Sequence, residues 1–230
     1  MRALIIRHDH QSHAGYVGAR LAERGFVSHE VTVVPEQRFH SPDVRVAFPR
    51  PTDFDLVVSL GAPWSVYDTA TIGTWIGEEL ALLAEAVRAD VPVLGICFGA
   101  QALAAALGGR VERAPRFELG WHTIESDEPA LISPGPWYQW HFDRFTVPPG
   151  GRETARSAAG PQAYVVGRSL GVQFHPEVTP GIVAAWLAGG GDAEARELGL
   201  EVAALRRTET GARERADALV DAFLADVAKI

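Results

Sequence analysis

The stretch VPVLGICFGAQALAAALGG, Val91 to Gly109, decides the fold. Val91 to Ile96 is a short, almost continuous apolar run, the pattern of a strand covered on both faces. The alanine-rich stretch that follows directly reads as a helix ending at Gly108-Gly109. Between them stands Gly95-Ile96-Cys97-Phe98-Gly99, a G-x-C-x-G string. It is the cysteine counterpart of the strand-turn-helix that lifts a nucleophile to the carboxyl edge of an α/β sheet. Glycines two residues to either side of the cysteine permit a strained turn with close backbone approach. A helix N-terminus behind the sulfur favours thiolate over thiol, and its free amides, Phe98 N–H among them, suit an oxyanion. A free cysteine is also commonly just a small buried hydrophobe. The elbow alone leaves Cys97 between these two roles.

Outward from this stretch, Ala3 to Ile6, Val31 to Val34 and Asp55 to Gly61 read as strands. Helical patterns run through Tyr16, Val17 and Leu21 up to Gly25, and from about Thr74 to Arg88. Phe39 to Thr52, with Pro42, Pro49 and Pro51, reads as a loop. Beyond Gly109 the pattern shortens and alternates: Trp121 to Ser126, Trp137 to Trp140, Thr154 to Ser157, Ala163 to Val166 and Leu170 to Phe174 suit antiparallel strands. From Pro180 the chain is helical, interrupted at Gly189 to Asp192 and at Thr208 to Gly211. Leu219, Val220, Phe223, Leu224 and Val227 form a final helical stripe, which suits core cover or a partner-docking face. The expected fold is α/β: a doubly wound, mostly parallel open sheet with an antiparallel extension and helices on both faces. One domain is expected over residues 1–188, with a C-terminal helical extension, 189–230, packed on it.

Composition narrows the functions. The 230 residues are 47% hydrophobic and 22% charged, values of an ordinary globular chain. A net charge of -8 argues against a nucleic-acid partner, because a phosphate backbone needs a positive surface. No run approaches the roughly 18 apolar residues of a membrane span, and the start MRALIIRHDH has no long apolar leader, so a cytoplasmic protein without a membrane partner is expected. One cysteine forms neither an intramolecular disulfide nor a thiolate metal cluster. Lys229 is the only lysine and no GxxxxGK[ST] string occurs, which excludes a phosphate-binding P-loop and makes a lysine Schiff base implausible.

A nucleophilic cysteine needs a base, and SLGVQFHPEVTP, Ser169 to Pro180, offers one. Pro176 holds His175 extended, and residues two apart in an extended chain project the same way, so Glu177 can lie beside His175 and orient its ring. A strand-end histidine with an ordinary hydrogen bond is the alternative.

GICFGAQ (Gly95 to Gln101) and GVQFHPEVT (Gly171 to Thr179) together resemble the two signatures of the class I, triad-type glutamine amidotransferases. The order of the lesser elements is similar too: G-A-P at Gly61, E-L-G-W at Glu118, W-H-F-D at Trp140. The resemblance covers about residues 1–188. It implies a Cys97, His175, Glu177 triad that hydrolyses the side-chain amide of L-glutamine through a γ-glutamyl thioester, with no metal and no cofactor. It implies an oxyanion hole of the Phe98 amide and an amide of the Gly61-Ala62 loop. Gln101 matches a position that contacts glutamine, and Trp140, His141, Phe142 and Asp143 fall where the family lines the glutamine pocket or the synthase-facing surface. Aromatic core packing, with Asp143 paired to Arg144 or Arg152, is the other use of that segment. One departure stands out: the family commonly has Gly-Gly-Pro where this chain has Gly61-Ala62-Pro63, and a methyl group makes a positive φ costlier.

Three functions remain open: a glutaminase that delivers ammonia to a separate synthase, no fused acceptor domain being expected; a stand-alone hydrolase or transferase of γ-glutamyl amides or peptides; and a silent partner-binding scaffold. Cysteine-elbow relatives of the intracellular protease and chaperone type lack the H-P-E string. His8, Asp9, His10 and His13 cluster after the first strand, either as a weak metal-ligand set or as a polar loop with Ser12 capping the next helix.

Overall fold

The computed structural model describes all 230 residues. Five strands run parallel at its centre: β1 (Arg2–Arg7), β2 (Val27–Thr32), β3 (Leu56–Ser59), β4 (Val93–Ile96) and β10 (Ser169–Val172). β9 (Gly160–Val166), β8 (Arg152–Ser157) and β6 (Glu125–Ser126) extend the sheet antiparallel. The strand order is β2-β1-β3-β4-β10-β9-β8-β6. Every side chain of β3 and β4 is buried, as a strand covered on both faces requires.

α1 (Gly15–Glu23) and α7 (Ala212–Ala222), the latter running on into a wide turn at Phe223–Ala228, cover one face. Val17 and Leu21 there share a core with Leu219, Val220 and Phe223, so the C-terminal stripe is buried against the sheet. α2 (Thr69–Arg88) and α3 (Phe98–Ala106) cover the other face through Ile72, Trp75, Leu83 and Leu103.

The elements depart from the expectation at five points, the first being Leu170 to Phe174, read among the antiparallel strands, which is β10, parallel to β4 and antiparallel only to β9. β2 is the exposed edge strand at Val27–Thr32, whereas Val33 and Val34, read as strand, are buried just beyond it. α2 begins at Thr69 rather than Thr74. The Phe39 to Thr52 loop ends in a short 3-10 turn at Pro51–Asp53. β5 (Val111–His122) and β7 (Trp137–Phe145) form a separate two-stranded antiparallel ribbon instead of joining the main sheet. The ribbon packs its own apolar cluster, Leu119 and Tyr138 meeting Ile182, Val183, Leu187 and Leu205. Those partners come from α4 (Pro180–Trp186), a wide turn at Leu187–Gly191, and α6 (Val202–Leu205); α5 (Asp192–Glu197) lies between the last two. No helix is long and apolar enough to cross a membrane.

Register then fixes the site. β10 lies beside β4 with Gly171 opposite Gly95 and Val172 opposite Ile96, so the residues that follow the two strands emerge side by side at the carboxyl edge.

Candidate active site

Cys97 follows β4 with φ 51° and ψ -105°, a conformation that L-residues rarely adopt and that costs of order 1–3 kcal/mol. The surroundings impose it. A Cβ at Gly99 would stand 2.0 Å from the Ser59 carbonyl oxygen, and one at Gly95 would stand 2.7 Å from the Gly99 carbonyl oxygen. Neither flanking position accepts a side chain. Cys97 N–H donates to Val172 O at 2.8 Å and Gly99 N–H to Leu60 O at 3.0 Å, which ties the elbow to the ends of both neighbouring strands. Phe98 N–H is the first amide of α3 and has no acceptor within the helix.

His175 continues from β10 and donates its backbone N–H to Tyr138 O at 2.8 Å. Its Nδ1 lies 2.7 Å from Glu177 Oε1, both side chains being buried. The edge of the ring meets Trp186 at 4.8 Å between centroids. Nε2 has no hydrogen-bond partner among protein polar atoms, and both Cys97 and His175 open onto one cleft of about 620 Å³. Burial opposes a charge on this ring, but the Glu177 carboxylate and the Cys97 sulfur outweigh it and raise the pKa to about 10. The ring is therefore an imidazolium at neutral pH, with a proton to give at Nε2 and a carboxylate fixing its other side.

Gly61 lies against this pair: a Cβ there would be 3.0 Å from His175 Cε1 and 3.9 Å from Cys97 Cβ. Ala62, on the same cleft, is absent from the residues with positive φ, and its methyl group packs on the α2–α3 core. The strain expected from alanine in place of glycine is not present in this conformation.

The remaining sequence candidates, Gln101 and Trp140 to Asp143, all line this cleft, but their polar groups are held differently. Gln101 Nε2 donates to Asp143 O at 3.3 Å and Gln173 Oε1 at 3.2 Å, while Gln173 Nε2 lies 3.5 Å from Cys97 Sγ. Gln101 lines the cleft with Cys97, and Gln173, unassigned from sequence, holds the Gln101 amide and approaches the sulfur from within the protein. Trp140 lines the cleft, its carbonyl 3.9 Å from Sγ and its Nε1 donating to Glu194 at 3.0 Å. Both nitrogens of His141 are engaged inside the protein, with Asp143 O at 2.9 Å and Glu118 Oε2 at 3.0 Å. The Phe142 ring packs on Phe117 and under Arg113. The Asp143 carboxylate is held by Ser65 Oγ and Tyr67 OH, with Arg113 Nη1 at 3.8 Å; Arg144 pairs instead with Glu112, and Arg152 with Glu128. Sequence spacing gave no signal for these partners, because they come from separate elements.

In the loop after β1, His8 is buried against Glu79, His10 packs on Phe39, and Asp9 accepts from the Ser12 backbone N–H at 2.9 Å. Ser12 does not cap α1, whose N-cap is Ala14 without a side-chain bond. No group of three or more His, Cys, Asp or Glu side chains there or elsewhere is arranged to hold a metal ion.

The outer wall of the cleft comes from Trp186, Gly189, Gly190, Gly191, Glu194 and Glu197. The turn lies so close that a Cβ at Gly189 would meet the Gln11 amide at 2.4 Å and one at Gly191 the Trp140 ring at 2.6 Å.

Comparison with known proteins adds a lineage to this geometry. Residues 14–186 match the family described as glutamine amidotransferase class-I. The glutamine-hydrolyzing GMP synthase of Thermomicrobium roseum is 40% identical over 131 residues, 53% of this chain and 23% of that protein. That of Thermus thermophilus is 46% identical over 96 residues, 38% of this chain and 19% of that protein. The matches therefore span only about a quarter of these relatives or less. Among solved structures, a glutamine amidotransferase from Thermotoga maritima superposes with a TM-score of 0.82 at 24% identity, covering 100% of this chain and 99% of that one. One from Methylobacillus flagellatus gives 0.77 at 23% identity, covering 98% and 95%.

Proposed function

The chain belongs to the class I glutamine amidotransferases, and from that premise we propose that it hydrolyses the side-chain amide of L-glutamine and passes the ammonia to a synthase. The observation that carries this reading is the meeting, in one cleft, of the Cys97 elbow with a buried His175–Glu177 pair whose Nε2 is unengaged. Cys97 thiolate attacks the amide carbon, and the negative charge on the carbonyl oxygen is received by the Phe98 and Ala62 amides. His175 Nε2 gives its proton to the departing nitrogen, the carbon–nitrogen bond breaks, and ammonia leaves a γ-glutamyl thioester. His175, now neutral, takes a proton from water; the hydroxyl adds to the thioester and glutamate departs from the regenerated sulfur. Glu177 holds the ring and its charge throughout. Neither a metal nor a cofactor has a step to perform in this scheme. The synthase would be a protein of the kind to which the GMP synthase relatives' amidotransferase regions belong.

A second reading is favoured by the cleft itself. A cleft of about 620 Å³, walled in part by Trp186 to Glu197, is within the range that takes ligands larger than glutamine. On this reading the protein hydrolyses or transfers other γ-glutamyl amides or peptides without a synthase.

Glutamate release from L-glutamine and from bulkier γ-glutamyl amides, by the wild type, Cys97→Ser and His175→Ala, tests both. The triad reading expects a loss of at least about 1000-fold in each variant. Equal release by wild type and Cys97→Ser would overturn it. A preference for glutamine raised by a synthase supports the first reading; full activity alone on a bulkier amide supports the second.

A further inference from the structure

The buried charges behind the nucleophile have no part in the scheme above. His8 and Glu79 are fully buried and 71 residues apart in sequence. The His8 ring lies between the Phe98 ring at 4.6 Å and the Trp75 ring at 5.7 Å. Its Nε2 is 3.1 Å from Glu79 Oε1 and 3.0 Å from Oε2, and Ser59 Oγ donates to the same carboxylate at 2.8 Å. Its Nδ1 lies 3.0 Å from the carbonyl oxygen of Gly61; Ser12 Oγ lies 3.1 Å from the same oxygen and 3.1 Å from Asp9 Oδ2, its one proton shared between them. Both ring nitrogens face oxygen, which an imidazolium satisfies by donating twice. A buried ion pair contributes little net stability, so its placement calls for another reason.

That reason lies on the far side of the Gly61–Ala62 peptide. The bond is trans, so the Ala62 N–H points opposite to the Gly61 carbonyl. It has no acceptor within the protein, and both residues line the cleft with Cys97. Pro63 restrains Ala62 from the other side, since a residue before proline is confined to extended conformations. We infer that His8, Glu79 and Ser12 are positioning residues that grip the Gly61 carbonyl and thereby hold the Ala62 amide toward the carbonyl oxygen of the substrate. The inference rests on the proposed amide hydrolysis and adds the residues that preorganise its oxyanion hole. A peptide gripped by the His8 ring, with the Ser12 hydroxyl within reach of the same oxygen, is oriented before the reaction begins, so no reorganisation is required as charge develops.

The test separates oxyanion stabilisation from integrity of the nucleophile. Alkylation of Cys97 by iodoacetamide proceeds at a saturated carbon and develops no carbonyl oxyanion, whereas glutamate release does. His8→Leu with Glu79→Met, which removes both charges together, should lower kcat by about 10- to 100-fold. KM and the alkylation rate should stay within about twofold. His8→Asn with Glu79→Gln keeps a donor near the Nδ1 position and should recover most of the loss. Crystal structures of wild type and variants read the Gly61–Ala62 peptide plane directly, and the plane should be rotated or doubled in the Leu/Met variant. Wild-type kcat in that variant, an unrotated plane, or an equal loss of alkylation would overturn the inference. Should the Leu/Met variant fail to fold, Ser12→Ala carries the same test with an expected loss of about 3- to 10-fold. If wild type releases no glutamate from any γ-glutamyl amide, the hydrolysis reading fails on its own, and the peptide plane still decides whether His8 and Ser12 hold it.

Discussion

At the residue scale, His175 is the group whose chemistry most depends on its neighbours. Burial alone would pull its pKa below the ordinary 6.5; Glu177 and Cys97 raise it to about 10. Replacing Glu177 by Gln removes the largest raising influence and leaves burial in place. The ring should then titrate lower than about 10, as read by NMR of the imidazole across the pH range. Glutamate release at neutral pH should fall by about 100-fold or more, because the ring loses the carboxylate that supports its charge and tautomer. A titration unmoved from about 10 would contradict the account. Cys97, His175 and Glu177 were legible because their evidence is local: a glycine on either side of a cysteine, and a proline between two residues that must face the same way. The His8–Glu79 pair was not, since a histidine after β1 and a glutamate in the middle of α2 show no sign in sequence that they will meet. The same holds for Gln173, whose approach to Cys97 depends on β10 lying beside β4.

At the element scale, legibility follows how each element is buried. β3 and β4 are buried on both faces and read as strands because their apolar runs are continuous. β5 carries Glu112, Arg113, Pro115 and Arg116 in a ribbon whose middle is largely exposed, so the hydrophobic period that identifies a strand is missing there. β2 pairs only with β1 and is exposed along most of its length, which is why the buried Val33 and Val34 drew the reading past its end. The α1–α7 pair shows the opposite case, a stripe read correctly in period and buried where it lands. Arg20 donates to both oxygens of Asp221 and Arg24 to one of them, and their positive charge holds the Asp221 carboxyl below the usual carboxylate range. The apolar contact beneath is the larger contribution. Phe223→Ala empties a fully buried ring site and should cost about 3–5 kcal/mol. Thermal unfolding should show the midpoint lowered by roughly 6–20 °C. A change of a degree or two would mean that α7 is only loosely bound to the sheet.

At the scale of the whole molecule, the cleft is assembled from two parts of the chain. Its inner half, with Cys97, Ala62 and His175, lies within the residues matched by the family, whereas Gly189 to Glu197 lie beyond residue 186. Gly191→Ala should push the turn off Trp140, where a Cβ would otherwise stand 2.6 Å from the ring. The discrimination between L-glutamine and a bulkier γ-glutamyl amide, read as a ratio of kcat/KM values, should shift by about threefold or more. Alkylation of Cys97 should change by less than about twofold. An unchanged ratio would mean that the wall does not touch the substrate. In evolutionary terms, a shifted ratio would make the turn at Leu187–Gly191 a place where the protein's diet is set outside the stretch that carries Cys97, His175 and Glu177. Mutation there would then alter what is eaten while the machinery that digests it is kept intact.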